Sequence, residues 1–428
     1  MKKFTEEVSA LQLDNEDPLA GFRERFVIDD PDLIYLDGNS LGRLPKETIP
    51  HIQDLVKNQW GKNLIRGWNE GWYEKPTSLG ARLAELIGAQ PDEVVVCDTT
   101  SVNLFKLSAA ALRYQQGRRG VVSDEFNFPT DLYIFQGVID LLGNHHHLEI
   151  IKSENSISIT DDAVAAAISK DTALVALTQV AFKSAFMYDI EKITAIAHQS
   201  GALTLWDLSH SIGAVPLELN KWGADLAVGC TYKYLNGGPG SPAFLYIRKD
   251  LQEKLSSPIW GWFADQDPFA FKLDFSPTIG ISRFQISTPH ILSMAGIEPA
   301  LELLQEAGIE RIREKSIRQT EYLIYLAEKN LIPLGFQIGS PLDSTQRGSH
   351  VSLRHREAYR ICQALINPEK NDTSLRVIPD FRAPDNIRLG IAPLYTSFSD
   401  IYRAVDRLQD IIQKKVYQNY SNDHLKVT

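Results

Sequence analysis

Two residues define the chemistry this chain could perform: Asp207, and Lys233 26 positions further on. Asp207 closes the apolar run Ala202-Leu203-Thr204-Leu205, and Lys233 follows Leu226-Ala227-Val228 within Cys230-Thr231-Tyr232-Lys233-Tyr234. Both runs read as buried strands, and neighbouring parallel strands would bring acid and amine into one crevice at their carboxyl ends. An ordinary ion pair would look the same. Pyridoxal phosphate gives the pair a sharper use. That cofactor needs a lysine for its Schiff base and a carboxylate to keep the ring nitrogen protonated, which strengthens the electron sink. It also needs hydroxyls and backbone N–H groups for its phosphate, a combination found at helix N-termini. Thr99-Thr100-Ser101, just ahead of a helix read over 103–113, offers them and can cap that helix at the same time.

Other candidate chemistries are weaker. Gly237-Gly238-Pro239-Gly240 does not fit a dinucleotide fingerprint between a strand and a helix, and no phosphate-binding G-x-x-x-x-G-K-[ST] occurs, so it reads as a flexible turn after the lysine. His145-His146-His147 has no acidic or cysteine partner at ligand spacing and reads as a solvated loop, with no metal expected. No serine stands in a G-x-S-x-G elbow. Of the cysteines, Cys97 falls at a strand end, Cys230 just before the lysine turn and Cys362 in a helix read over 356–365, so none reads as a loop nucleophile.

The elements that must position these residues follow from hydrophobic periodicity. Leu79, Leu83, Leu86 and Ile87 keep helical spacing up to a stop at Gly88. Val94–Val96, Leu174–Leu177, Ala202–Leu205, Leu226–Val228 and Ala243–Ile247 read as strands, and Asp189 as the cap of a helix running to Gly201. Alternation of this kind predicts an α/β fold with a mostly parallel sheet covered on both faces. Helical spacing from Leu301 to Leu326, short strands at 336–338, 351–353 and 387–389, and a closing helix through Ile401 and Ile411 predict a smaller α/β domain. The expected division is a loop-rich segment over 1–50, a large domain over 51–297 and a small domain over 298–428.

Composition narrows the class of protein. The 428 residues are 43% hydrophobic and 9% aromatic, which excludes disorder, and they show no internal repeat. A net charge of −10 without a basic run argues against nucleic acid or an anionic membrane as partner. No signal-peptide core and no apolar span of membrane length is present, and the three scattered cysteines suit a reducing compartment. A cytoplasmic enzyme is expected.

With these residues in place the sequence resembles the kynureninases, a hydrolytic branch of the fold-type-I pyridoxal-phosphate enzymes related to class V aminotransferases. The likeness rests on D-G-N-S-L-G (37–42), D-T-T-S-V-N-L-F-K (98–106), F-P-T-D (128–131), D-L-S-H-S-I-G-A-V-P (207–216), Y-K-Y-L-N-G-G-P-G (232–240) and I-R-L-G-I-A-P-L-Y-T-S-F (387–398). It implies a large domain built on a seven-stranded, mostly parallel sheet, and cleavage of L-kynurenine to anthranilate and L-alanine. It also implies a homodimer with a site shared across the interface.

Residue by residue, the resemblance makes Lys233 the Schiff-base lysine and Asp207 the partner of the ring nitrogen, with His210 beside it. Phe128 would stack on the ring, followed by contacts from Pro129, Thr130 and Asp131, and Thr178 would be a further contact. Thr100, Ser101, Tyr232, Trp262 and Thr288 would face the phosphate. Tyr232 is also the candidate proton donor or acceptor in the cleavage. Arg388 would hold the substrate carboxylate, a task its bidentate fork suits. Asn39 and Trp68 would line the substrate mouth, although the turn-forming composition around Asn39 explains that segment equally well. Gly67-Trp68-Asn69 and Thr288 differ from the animal pattern, which points to L-kynurenine over its 3-hydroxy derivative. Another fold-type-I enzyme, such as an aminotransferase, shares the Lys, Asp and Arg and stays open, as does a binding protein that keeps the fold.

Overall fold

The computed structural model describes residues 6–368 and 375–422. A short early strand, β1 (Leu33–Tyr35), precedes seven that make one sheet: β2 (Val94–Val96), β3 (Gly120–Asp124), β4 (His147–Ile151), β5 (Thr172–Thr178), β6 (Leu203–Asp207), β7 (Leu226–Gly229) and β8 (Phe244–Ile247). Their spatial order is β2-β8-β7-β6-β5-β3-β4. Every neighbouring pair is parallel except the two that involve β8. The expected mostly parallel sheet is present. β8 runs backwards because residues 230–243 return without a crossover helix, and only an antiparallel neighbour can be reached that way.

Residues of β5, β6 and β7 are buried on both faces, which is why they are continuous apolar runs. Helices flank them: Lys75–Ile87, closed by Gly88 at φ +63°, Thr100–Tyr114, Pro129–Leu141, and Ile190–Gln199, where Asp189 accepts from Lys192 N as a cap. Edge strand β4 is half exposed, so its His-Leu-Glu-Ile-Ile sequence carries no clean apolar signal. His147 opens that strand, and the two histidines before it lie in the preceding turn. Among the described residues no cluster of His, Cys, Asp or Glu could hold a metal ion.

The second sheet holds β9 (Gln337–Ile338), β10 (His350–Arg354), β12 (Asp380–Arg382) and β13 (Asn386–Gly390), antiparallel throughout in the order β12-β13-β10-β9. Helices Ala358–Ile366 and Phe398–Gln413 pack on it. β11 (Arg376–Ile378) pairs in parallel with β1, so a strand from residue 33 joins one from residue 376. Asp14 fastens the same end of the chain by accepting from the backbone N–H of Phe398 and Ser399. Ile297, Leu301, Leu304 and Ile312 belong to the large-sheet core, whereas Tyr322, Leu323 and Leu326 belong to the core beneath the small sheet. Core membership therefore changes within the long helix Ile309–Asn330. All three cysteines are buried and unpaired. No described helix is long and apolar enough to cross a membrane.

Candidate active site

Thr178 and Asp207 end β5 and β6 in direct register, and Lys233 stands in the turn after β7. All three open into a crevice of about 340 Å³ at the carboxyl ends of the parallel strands, the place the topology provides for a ligand. Asp207 is 6% exposed; its Oδ1 accepts from Ser209 N at 2.8 Å and from Ser209 Oγ at 2.6 Å. Lys233 Nζ lies 3.2 Å from His210 Nε2, which is also 3.1 Å from the carbonyl of Asn39. Burial and the charges of Lys233 and Arg388 hold the His210 imidazole neutral, with its pKa well below the usual range. In one tautomer it accepts from Lys233, and in the other it donates to Asn39.

Asp131 faces Asp207 from the first turn of the Pro129–Leu141 helix. Burial, and next the charge of Asp207, push its pKa well up, so it keeps its proton. Among the described residues no donor reaches Asp131 Oδ2. Two carboxyl groups can meet here only across that proton. Phe128 caps the same helix and offers an exposed ring to the crevice, held edge-on by Phe182 at 5.3 Å between centroids. Asp124 sets the approach to Phe128 by accepting from Phe126 N and Asn127 N at 2.8 Å each and from Tyr188 at 2.6 Å.

At the other end, Thr100 and Ser101 are the first residues of their helix, and Thr99 caps it by accepting from Val102 N. The Tyr232 ring completes this end, 6.0 Å from Lys233 Nζ. Burial, followed by neighbouring Cys230, raises its pKa and keeps the phenol protonated. Arg388, on β13, is 1% exposed and donates to Phe182 O at 2.6 Å and Ser40 Oγ at 2.7 Å, with Asp380 at 2.5 Å. Its Nε is left without a partner among the described residues.

The structure thus brings together Asn39, Thr100, Ser101, Phe128, Thr130, Asp131, Thr178, Asp207, His210, Tyr232, Lys233 and Arg388. Pro129 supplies only the first residue of its helix. Trp68, Trp262 and Thr288 do not reach this crevice from the same chain. Trp68 lines a separate apolar hollow with Trp60, Trp72 and Leu292, while Trp262 and Thr288 are exposed. Ser40, Phe182, Ser209 and Arg382 also line the crevice and were outside the expected set. Ser40 and Ser209 lie inside motifs already singled out, one residue after Asn39 and two after Asp207; Phe182 and Arg382 carry no local signal.

The donor set suits pyridoxal phosphate. Carboxyl groups stand at one end for a protonated ring nitrogen, hydroxyls and a helix N-terminus at the other for a dianion, an amine between them and an aromatic face above. Asp131 Oδ2 and the Asn39 side-chain amide, both without a partner among the described residues, mark polar atoms that a bound group would face.

Residues 34–353 match the class-V aminotransferase family, and residues 312–408 match the kynureninase C-terminal domain. The kynureninase of Pseudomonas fluorescens is 42% identical over 412 residues, 95% of each chain. That of Burkholderia mallei is 43% identical over 414 residues, 96% of each. The chain belongs to the kynureninase family. Its chemistry is that of a pyridoxal-phosphate-dependent hydrolase acting on carbon–carbon bonds. The fold is shared more widely. A cysteine desulfurase from Thermococcus onnurineus superposes with TM-score 0.77 at 18% identity, covering 97% of this chain and all of that one. One from Escherichia coli gives 0.75 at 16%, covering 93% and 98%. The desulfurases share the kynureninase architecture, while the near-full-length identity separates the kynureninases from them.

Proposed function

We propose that this crevice hydrolyses the Cβ–Cγ bond of L-kynurenine, releasing anthranilate and L-alanine, with Lys233, Asp207, Tyr232 and Arg388 in the leading roles. The observation that carries the assignment of roles is the pairing of Asp207 with Lys233 in one crevice whose far end is lined by Thr100 and Ser101. When bound, the cofactor supplies an electron sink that makes the substrate's Cα–H and Cβ–Cγ bonds labile.

The residues do the rest. Lys233, once its amine is free, takes the proton from Cα, and neutral His210 gives that amine a hydrogen-bond acceptor to orient it. Asp207, with Oδ1 already fixed by Ser209, keeps its other oxygen for the ring nitrogen, and the protonated Asp131 steadies it from the side. Phe128 covers the ring face, and Thr130 and Thr178 close the walls. Tyr232, held as a phenol, carries a proton to or from the γ-carbonyl oxygen as water adds there. Arg388 offers to the α-carboxylate its Nε, which has no partner among the described residues, with Asn39 and Ser40 completing that wall. The segment up to residue 50 completes both the site and the small domain in this scheme, and Pro129 sets the start of the helix that bears Asp131.

Trp68, Trp262 and Thr288 enter through a second copy of the chain. Their support is an apolar surface: Phe263 touches both Trp68, at 6.1 Å between centroids, and Trp262, at 4.5 Å; Trp262 leads on through Phe269 to the exposed Phe271, and Pro289, next to Thr288, lines the hollow that holds Trp60 and Trp68. So large an apolar face calls for a cover. We read the assembly as a cytoplasmic homodimer, with L-kynurenine preferred to its 3-hydroxy form. The deciding experiment follows L-kynurenine by anthranilate fluorescence and by alanine release, with a 2-keto acid added in parallel. Equal amounts of both products, independent of the keto acid, support this reading. Keto-acid-dependent turnover without anthranilate would move it to an aminotransferase.

A further inference from the structure

Behind the turn that carries Thr100 and Ser101 lies a buried charge with no part in the scheme above. Lys106 is on the Thr100–Tyr114 helix and is 0% exposed. Its Nζ donates to Asp98 Oδ2 at 2.7 Å, to Phe284 O at 2.7 Å and to Cys97 Sγ at 3.4 Å. An ammonium removed from water is costly, and it is tolerated here because its donors are all used. The carboxylate it holds belongs to a residue in an unusual conformation: Asp98 has φ +51°, in the left-handed region that only glycine enters freely. Asp98 is also the last residue before Thr99, Thr100 and Ser101, and its carbonyl accepts from Ala243 N at 2.9 Å. The chain therefore changes direction at a strained point, directly ahead of the hydroxyls, and a side chain from further along the helix reaches back to hold that point.

We propose that Lys106 is a positioning residue for the phosphate end of the cofactor. By clamping Asp98 it fixes the direction in which Thr100 and Ser101 present their hydroxyls and N–H groups. By holding Phe284 O it ties the turn to the segment that leads to Thr288. Lys106 touches neither substrate nor cofactor, and it acts through Asp98. The inference rests on reading Thr100 and Ser101 as phosphate donors.

The test measures equilibrium binding of pyridoxal phosphate and of pyridoxal, which lacks the phosphate, to the apoprotein by absorbance titration. Wild type is compared with Lys106→Met, Asp98→Gly and Ser101→Ala. Glycine accepts the backbone angle of Asp98 without strain but leaves the buried Lys106 ammonium without its carboxylate, so Asp98→Gly is also made together with Lys106→Met, and that double variant serves if Lys106→Met alone does not fold. The clamp variants are expected to lose about tenfold in affinity for pyridoxal phosphate, the worth of one charge-assisted hydrogen bond, with pyridoxal changed less than about twofold. Ser101→Ala should show the same selective loss. Unchanged pyridoxal phosphate affinity in the clamp variants, or an equal loss for both aldehydes, overturns the proposal. If Ser101→Ala loses selectively and the clamp variants do not, the phosphate reading survives and the role of Lys106 falls. A neutral Ser101→Ala would remove both.

Discussion

Lys233 has the neutral imidazole of His210 as a hydrogen-bond neighbour, and that choice suits an amine that must give up and regain a proton. Replacing Lys233 by alanine should remove both the visible absorbance of the bound cofactor and turnover. A variant retaining near-normal anthranilate release would show that another base does the work. Tyr232→Phe removes only an oxygen, so the absorbance band should persist while kcat falls about a hundredfold or more, the usual worth of one general acid. Arg388→Lys keeps the charge but loses the fork; kcat/KM for L-kynurenine should fall about tenfold to a hundredfold, chiefly through KM. A fall confined to kcat would take Arg388 away from the carboxylate. Asp207, Lys233 and the Thr100–Ser101 pair are legible in the sequence because each follows a recognisable strand or starts a recognisable helix. Phe182 and Arg382 are not, since a turn after β5 and the end of β12, far apart in sequence, bring them to the crevice and nothing local announces the meeting.

The elements that aim these side chains are held by close packing of main chain. At Gly42 an added Cβ would lie 2.4 Å from the carbonyl oxygen of Lys233 and 2.3 Å from Asn236 Oδ1, and Gly42 N donates to Tyr232 O at 2.8 Å. The segment at 37–42 is thus a wall of the lysine turn, which its turn-forming composition alone does not reveal. Gly42→Ala should displace that turn and show a shifted cofactor absorbance together with lost activity, while the melting temperature changes by only a few degrees. At the end of β3, burial raises the pKa of Asp124 to about 6, against the opposing hydrogen bond from Tyr188. A carboxyl raised by folding stabilises the native state fully below its unfolded pKa, and that contribution is lost as pH rises through about 6. Asp124→Asn keeps an acceptor for Phe126 N and Asn127 N and removes the charge. Its stability relative to wild type should therefore rise between pH 4 and pH 7 by on the order of 3 kcal/mol. Urea unfolding at the two pH values checks this, and a constant difference would show that Asp124 does not titrate there. The pattern of the central strands was readable because they are buried on both faces. β3 was missed because Gly120, Ser123 and Asp124 leave only two apolar residues in a fully buried strand, and β4 because it lies at the sheet edge.

At the scale of the whole molecule, the exposed patch around Trp262 and the absence of Trp262 and Thr288 from their own chain's crevice make one prediction together. On the proposed shared site, Lys233→Ala and Trp262→Ala each disable one side. Unfolded and refolded as an equal mixture, they should regain about a quarter of wild-type activity, since half the dimers are hybrids and each hybrid holds one intact site. No recovery would confine the site to a single chain. The pairing of β1 with β11 has a further consequence, in time rather than space. Strand 33–35 finds its partner only at 376–378, and Ser40 finds Arg388 only once the chain has been made that far. Contacts this distant in sequence close late, whether a chain is refolding or leaving the ribosome. The crevice around Asp207 and Lys233 can take shape while the last hundred or so residues are still being synthesised. The wall carrying Arg388 cannot, so the ability to select an amino acid is the last property this protein acquires as it is made.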